Sequence, residues 1–338
     1  MVYEITVISP CYNSEKTLER CINSIINQSL GFENIELILY DDASKDNTKK
    51  IIEEYSKKYE NIIPIFSNTN HGPGFGKDLA IEKATGNYLM FIDSDDEYDK
   101  NMCETLLKEI DEEIDVVSCN FQIIYDDSKS EINYCMFNKS KNKILLTHDE
   151  LIYLHSFIMV NKLFKKDIII KNNVRFTSLR NGEDEVFLRH YLLYSKKFIH
   201  LNYVGYNIYK QQDSISNSQS VKDLCSLFLT CKKIKEIYEN SGADISNILK
   251  YRIKYFIQLL YMRDILNNYD KNILYDALEN LKCLENEISF DKKLGLMNDI
   301  SNFFIMHGQF KLVVIYSKIL FNIRKSDMLL KIYRSVTQ

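Results

Sequence analysis

No tryptophan occurs in this 338-residue chain, proline occurs three times, and no CxxC pair is present. The shortage of Trp and Pro beside abundant Lys, Asn, Ile and Tyr reads as coding bias rather than physics. Strong net charge is missing too. At a formal -4, the chain has no global field to draw in nucleic acid. No apolar run nears the roughly 18 residues a bilayer-crossing helix needs. The eight cysteines (11, 21, 103, 119, 135, 225, 231 and 283) lack metal-ligand spacing, and the six histidines form no HxxxH pair. That excludes a zinc site of the usual kind and suggests reduced, mostly buried thiols in a cytosolic protein. The opening MVYEITVISP enters a strand pattern at once, so no signal peptide is expected. There is no internal repeat and no low-complexity segment.

What remains is an ordinary globular balance, 45% apolar and 27% charged. The length suits one large domain or two. Over the first 120 residues strand and helix patterns alternate. Strands are predicted at Glu4–Ser9, Ile35–Tyr40, Ile62–Phe66, Tyr88–Ile92 and Asp115–Cys119. A helix capped by Asn13 or Ser14 carries Leu18, Cys21, Ile22, Ile25 and Ile26 at i, i+3, i+4, i+7 and i+8. Further helices are predicted over Ser44–Tyr59, Lys77–Ala84, where Gly86 stops the chain, and Asn101–Ile110. Such alternation implies an α/β fold with a parallel sheet. Ligands of such sheets sit beyond the carboxyl ends of the strands. Three strand ends are chemically loaded: Pro10–Asn13, Asp41-Asp42 and Asp93–Asp96. Patterns weaken between 120 and 220, and everything after about 221 reads helical. A domain boundary is placed in the polar run Ser214–Ser220, dividing the chain into 1–218 and 219–338.

The segment MFIDSDDEYD is unusual. Leu89, Met90, Phe91 and Ile92 run straight into Asp93-Ser94-Asp95-Asp96. Crowded carboxylates raise one another's pKa and repel, so a positive partner is expected. Carboxylates fanned from a strand end suit a hard divalent cation such as Mn²⁺ or Mg²⁺ with bridging phosphates. A solvated acidic turn with no ligand is the bland alternative for a lone DxD. HGPGFGKD is glycine-rich, but its spacing to Lys77 and its missing Ser or Thr exclude a P-loop.

Taken in order, VISPCYNSEKTLERCINSIINQSL, YDDASKDNT, GPGFGKDLAIEKATGNYLMFIDSDD, NKLFKKDII, NGEDEVF and SIS resemble the family 2 glycosyltransferases over about residues 5–216. The resemblance implies a GT-A, Rossmann-like nucleotide-diphospho-sugar domain, here followed by an all-α C-terminal domain. It also implies an inverting, metal-dependent transferase that uses a nucleotide sugar, with UDP expected, and Mn²⁺ or Mg²⁺. The positive partner of the acidic turn is then a metal carrying the donor diphosphate. By the same resemblance Pro10, Tyr12, Asn13 and Glu15 cradle base and ribose. A buried core role is the competing reading for Tyr12. Asp41 and Asp42 match the acidic pair after the second strand, one of which accepts from the base. A cap for the helix from Ser44 is the competing reading, and Asp41 is read as the base contact and Asp46 as the cap. Asp93 and Ser94 meet ribose or metal, and Asp95 is the principal metal ligand. Asp96 faces the acceptor or caps the helix that follows it. The glycines let backbone approach the donor, and Lys77 reaches a phosphate or ribose. The family often carries Arg-Asn where this chain has Lys77-Asp78. Asp184 is the general base, and Glu183 is the fallback or a binder of donor-sugar hydroxyls. An acidic first helical turn needs no catalysis to explain it. Lys162 is read either as structural or as a donor contact, and Asp213 in QQDSIS as an added metal ligand or part of a polar loop. His155 and His190 are read as core histidines.

Residues 301–338 hold six basic residues against one acidic, a net charge of +5, with aliphatics interleaved. A helical bundle with a solvated basic face, a surface meeting anionic lipid and a helix-mediated homodimer are the three readings. The expected partners are a nucleotide sugar and a glycan, lipid-linked glycan or glycosylated-protein acceptor, without nucleic acid. The expected location is cytoplasmic or peripheral at the inner membrane face. Two rivals stand beside the transferase. One is a catalytically inactive GT-A protein that only binds nucleotide sugar. The other is a sugar nucleotidyltransferase, against which SPCYNSEKT in the first strand–helix turn argues.

Overall fold

The computed structural model describes residues 3–125, 130–133, 142–147, 158–179, 182–210, 221–244, 271–286 and 304–325, and residues 248, 257 and 301 singly. Two compact units divide the chain, Met1–Ser214 and Ile215–Gln338.

The first unit is built on one mixed sheet. Its described strands are β1 (Ile5–Cys11), β2 (Ile35–Asp41), β3 (Ile62–Phe66), β4 (Tyr88–Phe91), β5 (Glu97–Tyr98), β6 (Val116–Ile124), β7 (Ser130–Asn133), β8 (Lys143–Thr147), β9 (Lys162–Lys165) and β10 (Lys197–Tyr209). The order is β3-β2-β1-β4-β9-β6-β10-β5, with β7 on β6 and β8 on β10. Strands β3, β2, β1 and β4 are parallel neighbours. β9 runs antiparallel to both β4 and β6, so the sheet is α/β but not uniformly parallel. β1 and β2 are buried on both faces, as their continuous aliphatic runs require.

Helices α1 (Leu18–Ile26), α2 (Thr48–Lys58), α3 (Pro73–Lys83), α4 (Met102–Leu107), α5 (Lys166–Lys171) and α6 (Glu183–Leu192) complete this unit. α1 buries Leu18, Cys21, Ile22 and Ile25, the stripe set by its 3.6-residue period. Each buried aliphatic there contributes about 1.5–3 kcal/mol. α1, capped at Thr17, starts three or four residues later than a cap at Ser14 or Asn13 implies. Asn13 has φ +51°, and Ser14–Thr17 form a separate turn closed by Thr17 N–H on the Ser14 carbonyl. β10 spans thirteen residues, longer than any strand period in this region signals.

Between α6 and the sheet lies an aromatic cluster. Phe176 stacks on Phe187 at 4.2 Å, while Phe91 meets Phe164, Phe176 and Phe187 edge-on. These contacts hold the start of α6 against the end of β4, beyond what burial alone provides.

In the second unit every described element is helical: α7 (Val221–Ser241), α8 (Lys271–Asn286) and α9 (Phe310–Lys325). α7 packs on α8. Five described cysteines (11, 21, 103, 119 and 231) are buried free thiols. Among the described residues no helix is long and apolar enough to cross a membrane.

Candidate active site

Parallel pairing places the carboxyl ends of β1, β2 and β4 on one sheet edge, with Cys11 beside Asp41 and Ile8 beside Phe91. The loops leaving those ends are tied to one another. Ser14 N–H donates to Thr48 Oγ1 at 2.7 Å, and Ser14 Oγ meets Ser94 Oγ at 2.6 Å. Thr17 Oγ1 donates to the Ser94 carbonyl at 3.0 Å. Lys45 N–H donates to Asn13 Oδ1 at 2.8 Å, and Asn13 N–H donates to Ser44 Oγ at 2.9 Å. Asn13 and Ser94 thus help to tie together the loops beyond β1, β2 and β4. Pro10 is half-buried at the end of β1.

Several side chains sit differently from expectation. Tyr12 is 49% exposed, so its core reading fails: β1 ends at Cys11 and the ring lies outside the sheet. The carboxylate of Glu15 accepts from the backbone and side-chain nitrogens of Asn47 at 3.0 and 2.7 Å. It pins the α2 entry instead of standing free for a ribose. Asp46 accepts from Thr48 N–H and Glu15 N–H at 3.0 Å each, and these bonds lower its pKa against burial. Asp41 is buried and receives one long bond from Ser44 N–H at 3.4 Å. Asp42 accepts from His71 N–H and Gly72 N–H at 2.8 Å each and from Tyr40 Oη–H at 3.1 Å.

That last set explains the glycines. Gly72 turns at φ +86° and gives its N–H to Asp42. Gly74 and Gly76 lie inside α3, which begins at Pro73, earlier than predicted. A Cβ on Gly76 would stand 2.1 Å from the Tyr40 ring. A Cβ on Gly74 would stand 2.7 Å from the Thr177 carbonyl, so Gly76 lets α3 pack on β2 and Gly74 lets it pack on the segment before α6. Asp78 accepts from Phe176 N–H at 3.0 Å, and burial pushes its pKa up to about 6.

The acidic turn follows β4. Asp93 is exposed, yet crowding by protein atoms, with Asp184 and Asp95 nearby, raises its pKa to about 6 against the pull of Lys77. Burial also raises Asp95, while Arg20 counters it. Asp96 neither faces an acceptor nor caps a helix. It is buried, accepting from Tyr206 Oη–H at 2.8 Å and Tyr209 N–H at 2.9 Å. Burial, then Asp93 and Asp95, push it up to about 8.

Across the cleft α6 starts at left-handed Gly182, φ +93°. Its first turn holds Glu183, Asp184 and Glu185 where the helix dipole favours negative charge. Lys77, at the middle of α3, is buried and does not point to open solvent. Its Nζ lies 2.5 Å from Asp184 Oδ1, 3.9 Å from Glu183 Oε1 and 5.0 Å from the Phe176 ring. Burial opposes the ammonium, but Asp184 and then Glu183 outweigh it and raise its pKa. Burial, then Asp184, push Glu183 up to about 7. Asp184 remains a third exposed.

Lys162 is structural: its buried ammonium donates to the Ile158 carbonyl and, at 2.8 Å, to Asn161 Oδ1. His190 is partly buried beside Tyr194 with its pKa lowered by burial. His155, Asp213 and the rest of QQDSIS lie outside the described residues.

The sequence comparisons then decide the family. The family model described as "Glycosyl transferase family 2" matches residues 6–172. The cholesterol galactosyltransferase of Borreliella burgdorferi is 30% identical over 271 residues, 77% of this chain and 74% of that protein. The chain belongs to glycosyl transferase family 2. The minor teichoic acid biosynthesis protein GgaB of Bacillus subtilis is 28% identical over 321 residues. That stretch is 90% of this chain but 35% of GgaB, so the chain spans about a third of that relative. The crystal structure of S. aureus TarS 1-349 in complex with UDP-GlcNAc superposes with TM-score 0.67 at 21% identity. It covers 95% of this chain and 92% of that one, which establishes the GT-A fold.

For this family member the metal question turns on donor chemistry. Asp93 and Asp95 supply carboxylate oxygens from one turn, a set that suits a hard cation also taking phosphate oxygens. Among the described residues no three His, Cys, Asp or Glu side chains form a metal-binding cluster.

Proposed function

We propose that the chain is an inverting glycosyltransferase that moves a sugar from a UDP-sugar to a hydroxyl of a glycan, lipid-linked glycan or glycoprotein. One observation carries this reading. Carboxylates from two elements converge on buried Lys77, Asp93 from the turn after β4 that also carries Asp95, and Glu183 and Asp184 from α6. Family membership and the UDP-GlcNAc bound by the structurally similar TarS support the donor class. The relatives' names cover both teichoic acid biosynthesis and cholesterol galactosylation, so the acceptor is assigned only as a hydroxyl.

The chain's residues divide the work. Asp41, at the end of β2, accepts from the base, and exposed Tyr12 covers a face of the nucleoside. Asp93 and Asp95 would hold Mn²⁺ or Mg²⁺, whose charge stabilises the departing diphosphate. Asp184 takes the acceptor's proton as the hydroxyl attacks the anomeric carbon; the C–O bond to the acceptor forms as the C–O bond to the diphosphate breaks. Lys77 aims the Asp184 carboxylate, and Glu183 stands beside it for donor-sugar hydroxyls. Holding base, sugar and leaving group in line accounts for much of the rate gain.

Thermal melting with a panel of nucleotide sugars, with and without Mn²⁺, tests this reading. A ligand at a hundred times its Kd stabilises the native state by about 2.7 kcal/mol. A UDP-sugar shift that needs metal and vanishes in Asp95→Ala is expected. No shift with any nucleotide would overturn the assignment.

A further inference from the structure

The acidic turn is held from beneath by a residue that arrives more than a hundred positions later. Tyr206 lies in β10, paired in antiparallel register with Tyr98 of β5, and the two rings meet edge-on at 5.7 Å. It is completely buried. Its hydroxyl accepts from Asp93 N–H at 3.2 Å and donates to Asp96 Oδ2 at 2.8 Å. Asp96 N–H in turn donates to the Asp93 carbonyl at 3.1 Å. One hydroxyl thus bridges both ends of the four-residue turn Asp93–Asp96 and closes a ring of three hydrogen bonds. Tyr209 N–H supplies the second partner of the Asp96 carboxylate at 2.9 Å. On the outer side Arg20 Nη2 donates to the Asp95 carbonyl, and the Arg20 guanidinium lies 3.6 Å over the Tyr209 ring.

We propose that Tyr206 is a positioning residue for the Asp93/Asp95 carboxylate pair, a role that rests on the metal-binding reading of that pair. The physical reason is the geometry of a turn. With the amide of Asp93 and the side chain of Asp96 fixed to one atom, the peptide planes between them have little freedom. The Cα–Cβ directions of Asp93 and Asp95 then follow. Two like-charged carboxylates repel, and an unbraced turn would splay them apart. Fixing ligands by hydrogen bonds to groups behind them is how sites keep metal affinity, and losing such a partner typically costs 10–100-fold.

Tyr206→Phe keeps the ring on Tyr98 and removes only the hydroxyl. The measurement is Mn²⁺ binding to the full chain in saturating UDP, by calorimetry or by the electron paramagnetic resonance of Mn²⁺, beside a thermal melt. We expect the Mn²⁺ dissociation constant to rise at least tenfold while unfolding stays cooperative. Tyr209→Phe retains its backbone bond to Asp96 and should stay within threefold of the native chain, a contrast that a general loosening of β10 would not produce. Native-like Mn²⁺ affinity in Tyr206→Phe would overturn the role. Should that variant not fold, Asp96→Leu carries the test: it keeps most of the volume but offers the Tyr206 hydroxyl no acceptor, and the same tenfold loss is expected, with an unchanged constant again overturning the role. A native chain that binds no Mn²⁺ with UDP would instead sink the metal reading, and this role with it.

Discussion

Replacing Lys77 by Met removes the cation buried between the two carboxylates at the start of α6. The substitution keeps most of the side-chain volume, so the effect is electrostatic. Lys77 Nζ is 2.5 Å from Asp184 and 3.9 Å from Glu183. Removing one member of a fully buried pair costs about 3–5 kcal/mol. Here Asp184 is a third exposed and solvent screens it, so about 2–3 kcal/mol is expected near pH 8. The pH dependence is the sharper part. Glu183 is already raised to about 7, and Lys77 is the group holding it down. A folded carboxyl with a raised pKa binds more protons than the unfolded chain. Its contribution is fully present below the unfolded value near 4.5 and lost as pH rises through the folded value. The Lys77→Met penalty should therefore shrink at pH 5, where Glu183 takes up a proton, and grow toward pH 8. Chemical denaturation of both chains between pH 5 and 8 measures this, and Lys77→Met with Glu183→Gln should recover much of the loss at pH 8. A penalty independent of pH, or one larger at pH 5, would refute the reasoning.

Asp184→Asn should lower turnover about 10²–10⁴-fold, the usual contribution of a general base, while UDP-sugar binding followed by thermal shift stays near native. Gly76→Ala should destabilise the first unit by about 1–3 kcal/mol, because the new Cβ would fall 2.1 Å from Tyr40; a melting temperature equal to the native one would show that α3 slides freely on β2.

Much of the first hundred residues was legible because its signals are local. The stripe Leu18, Cys21, Ile22 and Ile25 states both the helix and its buried face. The aliphatic runs of β1 and β2 require burial on both sides, hence helices on each face and chemistry at the strand ends. The α/β fold follows from that alternation. Long-range pairings were not legible. Lys77 and Asp184 are 107 positions apart, and Tyr206 and Asp96 are 110. No period or spacing announces a salt bridge between the middle of one helix and the start of another. The glycine run misled for a related reason. Gly74 and Gly76 look like a ligand loop, but they are small because Tyr40 and the Thr177 carbonyl press against α3.

The two features missing from the sequence reading share one physical origin. The carboxylates of such a cleft must be brought close for function and repel one another for the same reason. Left alone, they would rise in pKa and lose the charge the chemistry needs. The fold answers on each wall in a different way. On the α6 side it buries an ammonium, Lys77, which holds Glu183 down and orients Asp184. On the β4 side Lys77 also pulls on Asp93 and Arg20 on Asp95, yet Asp93 and Asp96 stay raised. There the turn is braced by hydrogen bonds from Tyr206, Tyr209 and Arg20 instead. On the proposed reading, the brace serves a cation held by Asp93 and Asp95, and the ion pair serves proton transfer at Asp184.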